Sequence, residues 1–349
     1  MTRDAKKGDG AQNQHYVPKF ILRNFLSNES KERVSVFRKS DGKFFVTSIR
    51  NIMAERRFHE FAIGEDYLAS FEGGICQIED QLLPTYRRVL EVRRLDRSIE
   101  ERANLAMFMA FQMVRTRQQR EQFLRMEEQL KDHMETHGGT IEQLEGYEPF
   151  TEERLTEQHI EFIRQSFGEF SNHIAAKDFL LLSAPEGRSF YLGDNPVCLH
   201  NSEPADSFWG NIGLAVKGIE IYLPLAADLM LAAWCPSIMQ RIRNERDRQS
   251  QEQRSELLGM VMRGEISHDQ MREQLAVLAE MGRCPDTVLG RFEAGVPVLM
   301  TESNMDFSNS LQMNYAREYV ICKRGDFNLA QRFVSEFPGH TGKRPTAVS

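Results

Sequence analysis

The chain has 349 residues, of which 41% are hydrophobic and 27% charged, and its formal net charge is −7. These are ordinary values for a globular protein, and no apolar run approaches the ~20 residues that a membrane helix needs. The negative charge argues against a broad polyanion-binding surface, although it permits a local basic cleft. The length suits two domains or one extended domain.

Cysteine and histidine spacing argues against two common kinds of site. The five cysteines are scattered without a CxxC pair, which indicates reduced thiols, and the start of the chain has no apolar signal segment. We therefore expect a cytoplasmic protein. No HExxH pair and no glycine-rich GxxxxGK loop occurs, so we expect neither a structural zinc site nor P-loop chemistry.

A dense motif follows a charged, polar arm at residues 1–12 that we expect to be flexible. Residues before proline avoid the α region, so 14–17 are predicted to be extended, and Pro18 suits the first turn of a short helix. His15 then lies at a strand-to-helix junction, while Lys19 and Arg23 share one side of the helix. An imidazole beside two cations indicates a candidate anion site. A buried histidine with one satisfied hydrogen bond, beside solvated cations, is the alternative.

Local signals next predict a β-hairpin and two helices. The hairpin spans 33–38 and 43–48 around an Asp-Gly turn. A helix is predicted over 66–94, where Glu72 and Glu79 are seven residues apart and so lie near one face. Glu79 is either a site residue or a solvated helix residue.

A capping-box pattern at 98–101 predicts the start of the longest helix, which we expect to continue to about His133. Its middle is apolar all round, and Gln112 and Arg115 extend that buried face. Buried polar groups need partners, so this placement predicts a polar network. We expect the helix to pack against residues 13–25.

The second half of the chain alternates helices with short strands. Helices are predicted at 151–176 and 304–317, and strands at 179–182, 189–192, 219–224, 229–234 and 318–323, with a helical excursion at about 237–283. Without a βαβ rhythm, the predicted class is α+β with helix predominating, in which long helices pack with short antiparallel strands. We expect one domain over 13–336 and a loose tail at 337–349.

The order of these pieces resembles a bacterial and phage-associated family known as domain of unknown function 4238. The resemblance rests on 15–18 with 22–25, the two glutamates, 112–116, 193–197 and 222–225, with Asn309 and Gln312 as a sixth piece. After Arg115 and Thr116 the family more often has proline where this chain has Arg117, so the helix is expected to run on here. The resemblance implies no activity. It implies a recurring polar set: His15, Arg23, Asn24, Glu79, Gln112, Arg115, Asp194, Asn195 and Asn309.

Three functions fit this polar set, and whether the protein is an enzyme stays open. The first is a hydrolase acting on a phosphodiester or nucleotide, such as a nuclease of a defence or toxin system, with nucleic acid or a nucleotide as its partner and Mg²⁺ or Mn²⁺ as a candidate cofactor. Its predicted catalytic residues are His15, Glu79 and Asp194, and its predicted substrate-binding residues are Lys19, Arg23, Asn24, Gln112, Arg115, Asn195 and Asn309.

The second function is a binding or sensing protein that holds an anionic ligand in the same cluster. The third is a structural or partner-binding protein in which the cluster is a buried hydrogen-bond network. The segment Asp194-Asn195-Pro196 is also a natural turn, because Asp and Asn bond their own backbone. Convergence of His15, Glu79, Gln112, Arg115 and Asp194 in one open cleft would favour the first two functions.

Overall fold

The computed structural model describes residues 13–63, 67–203, 211–282 and 287–342. Its fold is α+β with helix predominating, as predicted. The expected arm at 1–12, the last part of the expected tail at 343–349 and Cys284 lie outside the described residues.

Most secondary structure in the described part is helical. The helices are α1 (Lys19–Leu22), α2 (Glu72–Val92), α3 (Ile99–Val114), α4 (Arg117–Thr136), α5 (Glu152–Ala175), α6 (Pro236–Met262), α7 (His268–Gly282), α8 (Val288–Ala294), α9 (Glu302–Tyr315) and α10 (Asn328–Glu336). The strands are β1 (Asn13–His15), β2 (Arg33–Arg38), β3 (Phe44–Ser48), β4 (Ala54–Arg56), β5 (Glu60–Ile63), β6 (Tyr67–Ser70), β7 (Asp178–Ser183), β8 (Tyr191–Gly193), β9 (Cys198–Asn201), β10 (Ile219–Ala226), β11 (Leu229–Trp234), β12 (Val298–Leu299) and β13 (Tyr319–Cys322). Single 3₁₀ turns occupy Arg23–Phe25, Ile49–Asn51 and Ile141–Gln143.

Two sheets position the rest of the fold. The larger has the order β12-β7-β11-β10-β9 and is antiparallel except where β12 runs parallel to β7. Its central strands are buried along nearly their whole length, which indicates that both faces are covered. The smaller sheet, β3-β2-β13-β8, joins strands from the two ends of the chain. The β1/β4 and β5/β6 pairs form separate two-stranded ribbons.

The predicted strands at 179–182 and 189–192 exist as β7 and β8, but they belong to different sheets. Backbone groups around the turn between them bond elsewhere: Ala184 N–H donates to Asp228 O at 3.1 Å and Phe190 N–H donates to Ala227 O at 2.7 Å. Each strand finds partners distant in sequence, which a local turn signal does not reveal.

The prediction of one helix from 98 to 133 is wrong, because the chain breaks between α3 and α4 at Arg115 and Thr116. Thr116 is extended, with φ −79° and ψ 157°, and its hydroxyl accepts a hydrogen bond from the Gln119 N–H at 3.3 Å. Arg117 is the first residue of α4, so the expectation that the helix runs on through Arg117 is wrong. The threonine cap makes the break without a proline at this position.

The helix predicted over 66–94 begins later, at Glu72. Residues 67–70 form β6, whose ribbon leads into the helix through the Phe71 N–H, which donates to His59 O at 2.9 Å. Residues 64–66 lie outside the described part. Gly73 and Gly74 fall in the first turn and do not interrupt α2.

The described start of the expected tail contacts the helices. The ring of His340 hydrogen-bonds to Asn314 O at 2.9 Å, and Arg125 Nη2 donates to Thr341 O at 3.1 Å. Across the ranges described above, none of the helices has the length and apolar character to cross a membrane.

Candidate functional site

The backbone of the opening motif is held by side chains of α3. Gln112 Nε2 donates to Tyr16 O at 2.9 Å, and Arg115 Nη2 donates to His15 O at 2.7 Å. The rings of Phe20 and Phe108 lie 6.0 Å apart beside these bonds. The prediction that residues 13–25 pack against this helix is confirmed. We call His15, Glu79, Gln112 and Arg115 the motif clamp.

Arg115 is the centre of the motif clamp and is 1% exposed. Besides the bond to His15 O, its Nη1 contacts Glu79 Oε1 at 2.5 Å, and its guanidinium lies 4.7 Å from the centroid of the Phe111 ring. Nε has no hydrogen-bond partner. Both terminal nitrogens therefore serve the fold, and Glu79, whose side chain is 25% exposed, supplies the compensating charge.

His15 is itself a buried donor, with 8% of its surface exposed. Its Nε2 lies 2.8 Å from Ile49 O, and a bond to a carbonyl requires that Nε2 carry a proton. Burial lowers the pKa of His15, and the charges of Lys19 and Arg115 lower it further. The imidazole is thus neutral at pH 7 and ties the motif to the 3₁₀ turn at Ile49–Asn51.

Asp194 lies in a second network at the start of β13. Its carboxylate accepts the backbone N–H groups of Arg317 at 2.7 Å, Glu318 at 2.8 Å and Tyr319 at 3.0 Å. Burial raises the pKa of Asp194, while the three N–H donors lower it in part. Among the described residues no hydrogen bond joins Asp194 to the motif clamp. Asn195 connects the two regions, because its Oδ1 accepts from Thr116 Oγ1 at 3.1 Å.

Two amides of α9 hold the backbone of β8 in the same way. Asn309 Oδ1 accepts from Tyr191 N–H at 2.8 Å and its Nδ2 donates to Ser189 O at 3.1 Å. Gln312 Oε1 accepts from Gly193 N–H at 2.8 Å. Asn309 is therefore placed away from the motif clamp, as a holder of the smaller sheet.

Lys19, Arg23 and Asn24 lie on the outer side of the motif. Lys19 and Arg23 are exposed, and Arg23 Nε contacts Glu32 Oε1 at 2.9 Å. The amide of Asn24 donates to Tyr86 Oη at 2.6 Å and to Leu225 O at 3.2 Å. The structure thus brings four of the predicted residues together in the motif clamp and distributes the other six over neighbouring places.

Arg23 and Asn24 line an open cleft of 820 Å³ whose walls are rich in cations. We call it the arginine cleft. Its basic residues come from four segments of the chain: Arg23, Arg93, Arg188, Lys323 and Arg324. Two carboxylates, Glu29 and Asp228, also line it.

Most of these cations have carboxylate partners at the surface. Arg93 Nη2 contacts Asp228 Oδ2 at 2.8 Å, Lys323 Nζ lies 3.5 Å from Glu29 Oε1, and Arg188 pairs with two carboxylates of α9. Arg324 forms no ion pair within the described ranges. Arg188 and Arg324 also line an adjoining pit of 190 Å³, so the basic surface continues past the cleft.

One histidine that sequence reasoning missed has the geometry of an oriented base. His59 is 0% exposed, its Nδ1 lies 3.0 Å from Glu72 Oε2, and its Nε2 has no hydrogen-bond partner. Burial lowers the pKa of His59 to about 4. Glu72 was singled out from the sequence, and Gln14, beside His15, accepts the backbone N–H of His59 at 2.6 Å. The available signals in the sequence were therefore Glu72 and the position of Gln14 beside His15.

Candidate metal ligands do not gather in the part of the chain that the structure describes: it contains no group of three or more His, Cys, Asp or Glu side chains suited to an ion. The rings of His133 and His137, four residues apart on and just after α4, are tilted by 43° with centroids 4.4 Å apart, and His137 Nδ1 bonds to the His133 carbonyl. The Mg²⁺ or Mn²⁺ expected for a hydrolase has no such ligand group among these residues.

Comparison with known proteins identifies a family but no activity. The sequence model of the family described as "Protein of unknown function (DUF4238)" matches residues 13–326. No curated protein matches the chain, and neither does any solved structure.

Proposed function

The chain belongs to the DUF4238 family, whose description names no function, and we propose that it binds a phosphate-bearing ligand of nucleotide size in the arginine cleft. The observation that carries the proposal is the meeting of five cations from four chain segments in one 820 Å³ cleft of a protein whose net charge is −7. Guanidinium groups present planar, paired donors to phosphate oxygens.

The existing carboxylate partners leave the cleft available to a ligand. Ion pairs between exposed side chains contribute only about 0–1 kcal/mol each, because water screens them. A phosphate group that carries more charge can therefore displace Asp228 or Glu29 from its cation. Arg324 has no carboxylate to displace within the described ranges, which supports its role as the first contact.

The buried networks support this function by holding the walls of the cleft in place. The side-chain amide of Asn24 donates to Leu225 O, and its backbone carbonyl accepts the Ala227 N–H at 3.2 Å. These two bonds fix the turn that carries Asp228. Lys323 and Arg324 follow β13, whose first residues are held by Asp194. A preorganised site loses less entropy when its ligand binds. The buried members of the predicted polar set then act by positioning the walls of the cleft.

The proposed binding is measured by fluorescence anisotropy with labelled single-stranded RNA and DNA, and by calorimetry with ATP. Arg324→Ala is expected to weaken binding about 10–100-fold, because a hydrogen bond to a charged group contributes about 1.5–3 kcal/mol. Arg164→Ala is the matched control: this arginine of α5 is exposed and pairs with Glu161, far in sequence from the cleft. Affinity should also fall as salt rises.

Equal affinities of the Arg324→Ala and Arg164→Ala proteins would contradict the proposal, and so would absence of binding by the wild type. The RNA, DNA and ATP arms show which source of phosphate the cleft accepts.

The predicted cytoplasmic location belongs to the same proposal, since nucleotides are abundant there and the described cysteines are free thiols: Cys76, Cys198, Cys235 and Cys322.

Hydrolysis of a phosphodiester is a second candidate, and the pair of His59 and Glu72 is the observation that favours it. A carboxylate that orients an imidazole is the arrangement that general bases use. If the protein hydrolyses its ligand, degradation of labelled RNA or DNA, assayed with and without Mg²⁺ or Mn²⁺, should fall about 10²–10⁴-fold in His59→Gln. His15→Ala tests the predicted base in the same assay. If the folded wild type shows no turnover, ligand binding remains as the proposed function.

A further inference from the structure

A second, smaller pocket lies on another part of the molecule and shares no lining residue with the arginine cleft. It has a volume of 190 Å³ and is built by the connection between α2 and α3, by α3, β7, α6 and α8. Its apolar wall consists of leucines and phenylalanines, and its polar side consists of three arginines and two acids: Arg97, Arg102, Arg243, Glu101 and Asp178.

Arg97 is presented to this pocket by a locked loop. Its backbone is left-handed, with φ 63°, a conformation that costs an ordinary side chain about 1 kcal/mol or more. Glu101 Oε1 accepts the N–H groups of Asp96 at 2.8 Å and Arg97 at 3.2 Å. Leu95 N–H donates to Gly295 O at 2.8 Å, and a Cβ on that glycine would lie 2.4 Å from Leu95 O. The loop thus fixes an arginine where glycine would suit the backbone better.

Two guanidiniums lie near one aromatic ring. That of Arg97 lies 4.4 Å from the centroid of Phe292, and that of Arg243 lies 5.9 Å from the same centroid. Neither forms an ion pair with a carboxylate among the described residues. Burial lowers the pKa of Arg97, the charges of Asp178 and Glu293 raise it in part, and the charges of Arg102 and Arg243 lower it. Like charges that line one pocket favour an anion that contacts them.

The acids of the pocket do not supply that anion. Glu101 already accepts two backbone N–H groups and pairs with Arg88. Asp178 attracts Arg97 electrostatically but forms no ion pair within the described part. Arg102 Nη1 donates to the backbone carbonyls of Ala175 and Lys177. These bonds hold the guanidinium in place and leave its other nitrogens available. The three arginines that line the pocket therefore outnumber its two lining carboxylates.

We propose that this pocket, the Arg97 pocket, binds a compact tetrahedral oxyanion of the phosphate class. At 190 Å³ it is smaller than the roughly 300 Å³ at which ordinary ligand sites begin, so it admits a phosphate group and excludes an attached nucleoside. Guanidinium forks match the oxygens of such an anion, and Phe292 packs against two of them. The anion is either free phosphate or the terminal group of a small phosphomonoester.

The test is calorimetric titration in the Arg324→Ala protein, which removes the proposed first contact of the arginine cleft and so separates the two sites. Inorganic phosphate is expected to bind saturably. Adding Arg97→Gly should weaken this binding about tenfold or more, since it removes a charged donor while suiting the left-handed backbone. Adding Arg57→Gly instead is the matched control, because Arg57 is also left-handed, with φ 56°, and lines neither site.

Urea unfolding of both double variants checks that they are folded, and Arg243→Ala gives an independent variant in the same pocket. Competition by glycerol 3-phosphate equal to that by inorganic phosphate identifies a monoester ligand, and weaker competition identifies free phosphate; AMP should compete least. The proposal is overturned if phosphate does not bind at concentrations up to about 10 mM, or if the Arg97→Gly and Arg57→Gly proteins bind it equally well.

Discussion

The motif clamp and the arginine cleft are built from the same kinds of residue and use them in opposite ways. In the motif clamp Arg115 is 1% exposed and gives its terminal nitrogens to His15 O and Glu79. In the arginine cleft the side chain of Arg23 is 53% exposed, and its carboxylate partner is in water as well. One guanidinium is committed to the fold and the other can exchange its partner.

Burial is the physical reason for this difference. A buried cation must be paired and hydrogen-bonded within the protein, because leaving it unpaired costs several kcal/mol. Its donors are then satisfied and cannot recognise a ligand without breaking the fold. An exposed cation has lost little hydration and keeps most of its attraction for an incoming anion. Residue type alone therefore predicts a place for charge, and exposure decides whether that charge supports structure or binding.

The largest expected effect comes from breaking the motif clamp. Arg115→Leu removes the donor to His15 O and leaves Glu79 without its cation. Breaking a buried pair costs about 3–5 kcal/mol, and we expect about 3 kcal/mol here because the 25% exposed Glu79 can take up water. Urea denaturation measures the free energy of unfolding. Arg164→Leu, at an exposed pair, is the control and should change it by less than about 1 kcal/mol. Similar losses in the two variants would remove the contrast between buried and exposed arginines.

Acid is expected to weaken the buried region through two histidines, each of which has a smaller effect than Arg115→Leu. Burial lowers the pKa of His59 to about 4 and that of His159 to about 3, both from 6.5. Below pH 6.5 the unfolded chain takes up protons that the folded chain does not, so stability falls as pH falls toward 4. Each pH unit in that window corresponds to about 1.4 kcal/mol per histidine, so each should remove about 2 kcal/mol by pH 5.

Urea unfolding at pH 7.5 and pH 5 checks this pH dependence, and His59→Gln isolates one of the two contributions. Its loss of stability between the two pH values should be about 2 kcal/mol smaller than that of the wild type. An unchanged pH dependence in His59→Gln would show that this imidazole takes up no proton on unfolding.

Features with local causes were predictable from the sequence. The Asp41-Gly42 turn placed β2 and β3 correctly, and Ser98 caps α3 by accepting the Glu101 N–H at 3.0 Å. The break at Thr116 also has a local cause, the threonine cap on Gln119, and it was missed because the helical pattern continues on both sides of it. The separation of β7 and β8 into two sheets has distant causes, because these strands pair with segments far along the chain.

The candidate site shows the same limit. Amphipathic spacing grouped Gln112 with Arg115 and predicted partners for them, and partners are present. Spacing could not show that those partners are backbone carbonyls, because a hydrogen-bond acceptor of this kind leaves no trace in residue type. Nor could it group Arg23 with Arg324, since the cleft forms only when both ends of the chain meet around the β10–β11 turn.

The smallest effect on stability is expected from Arg23→Ala, the exposed counterpart of Arg115. Its ion pair with Glu32 is screened by water, so the urea midpoint should stay close to that of the wild type. Affinity for labelled oligonucleotide should nevertheless fall, and the salt dependence of binding should decrease by about one counterion. Glu32→Gln is the reciprocal variant: it frees Arg23 from its carboxylate and should tighten binding at low salt. If removing the arginine and removing its partner shift affinity in the same direction, Arg23 does not contact the anion. The arginine cleft must then bind through its other four cations: Arg93, Arg188, Lys323 and Arg324.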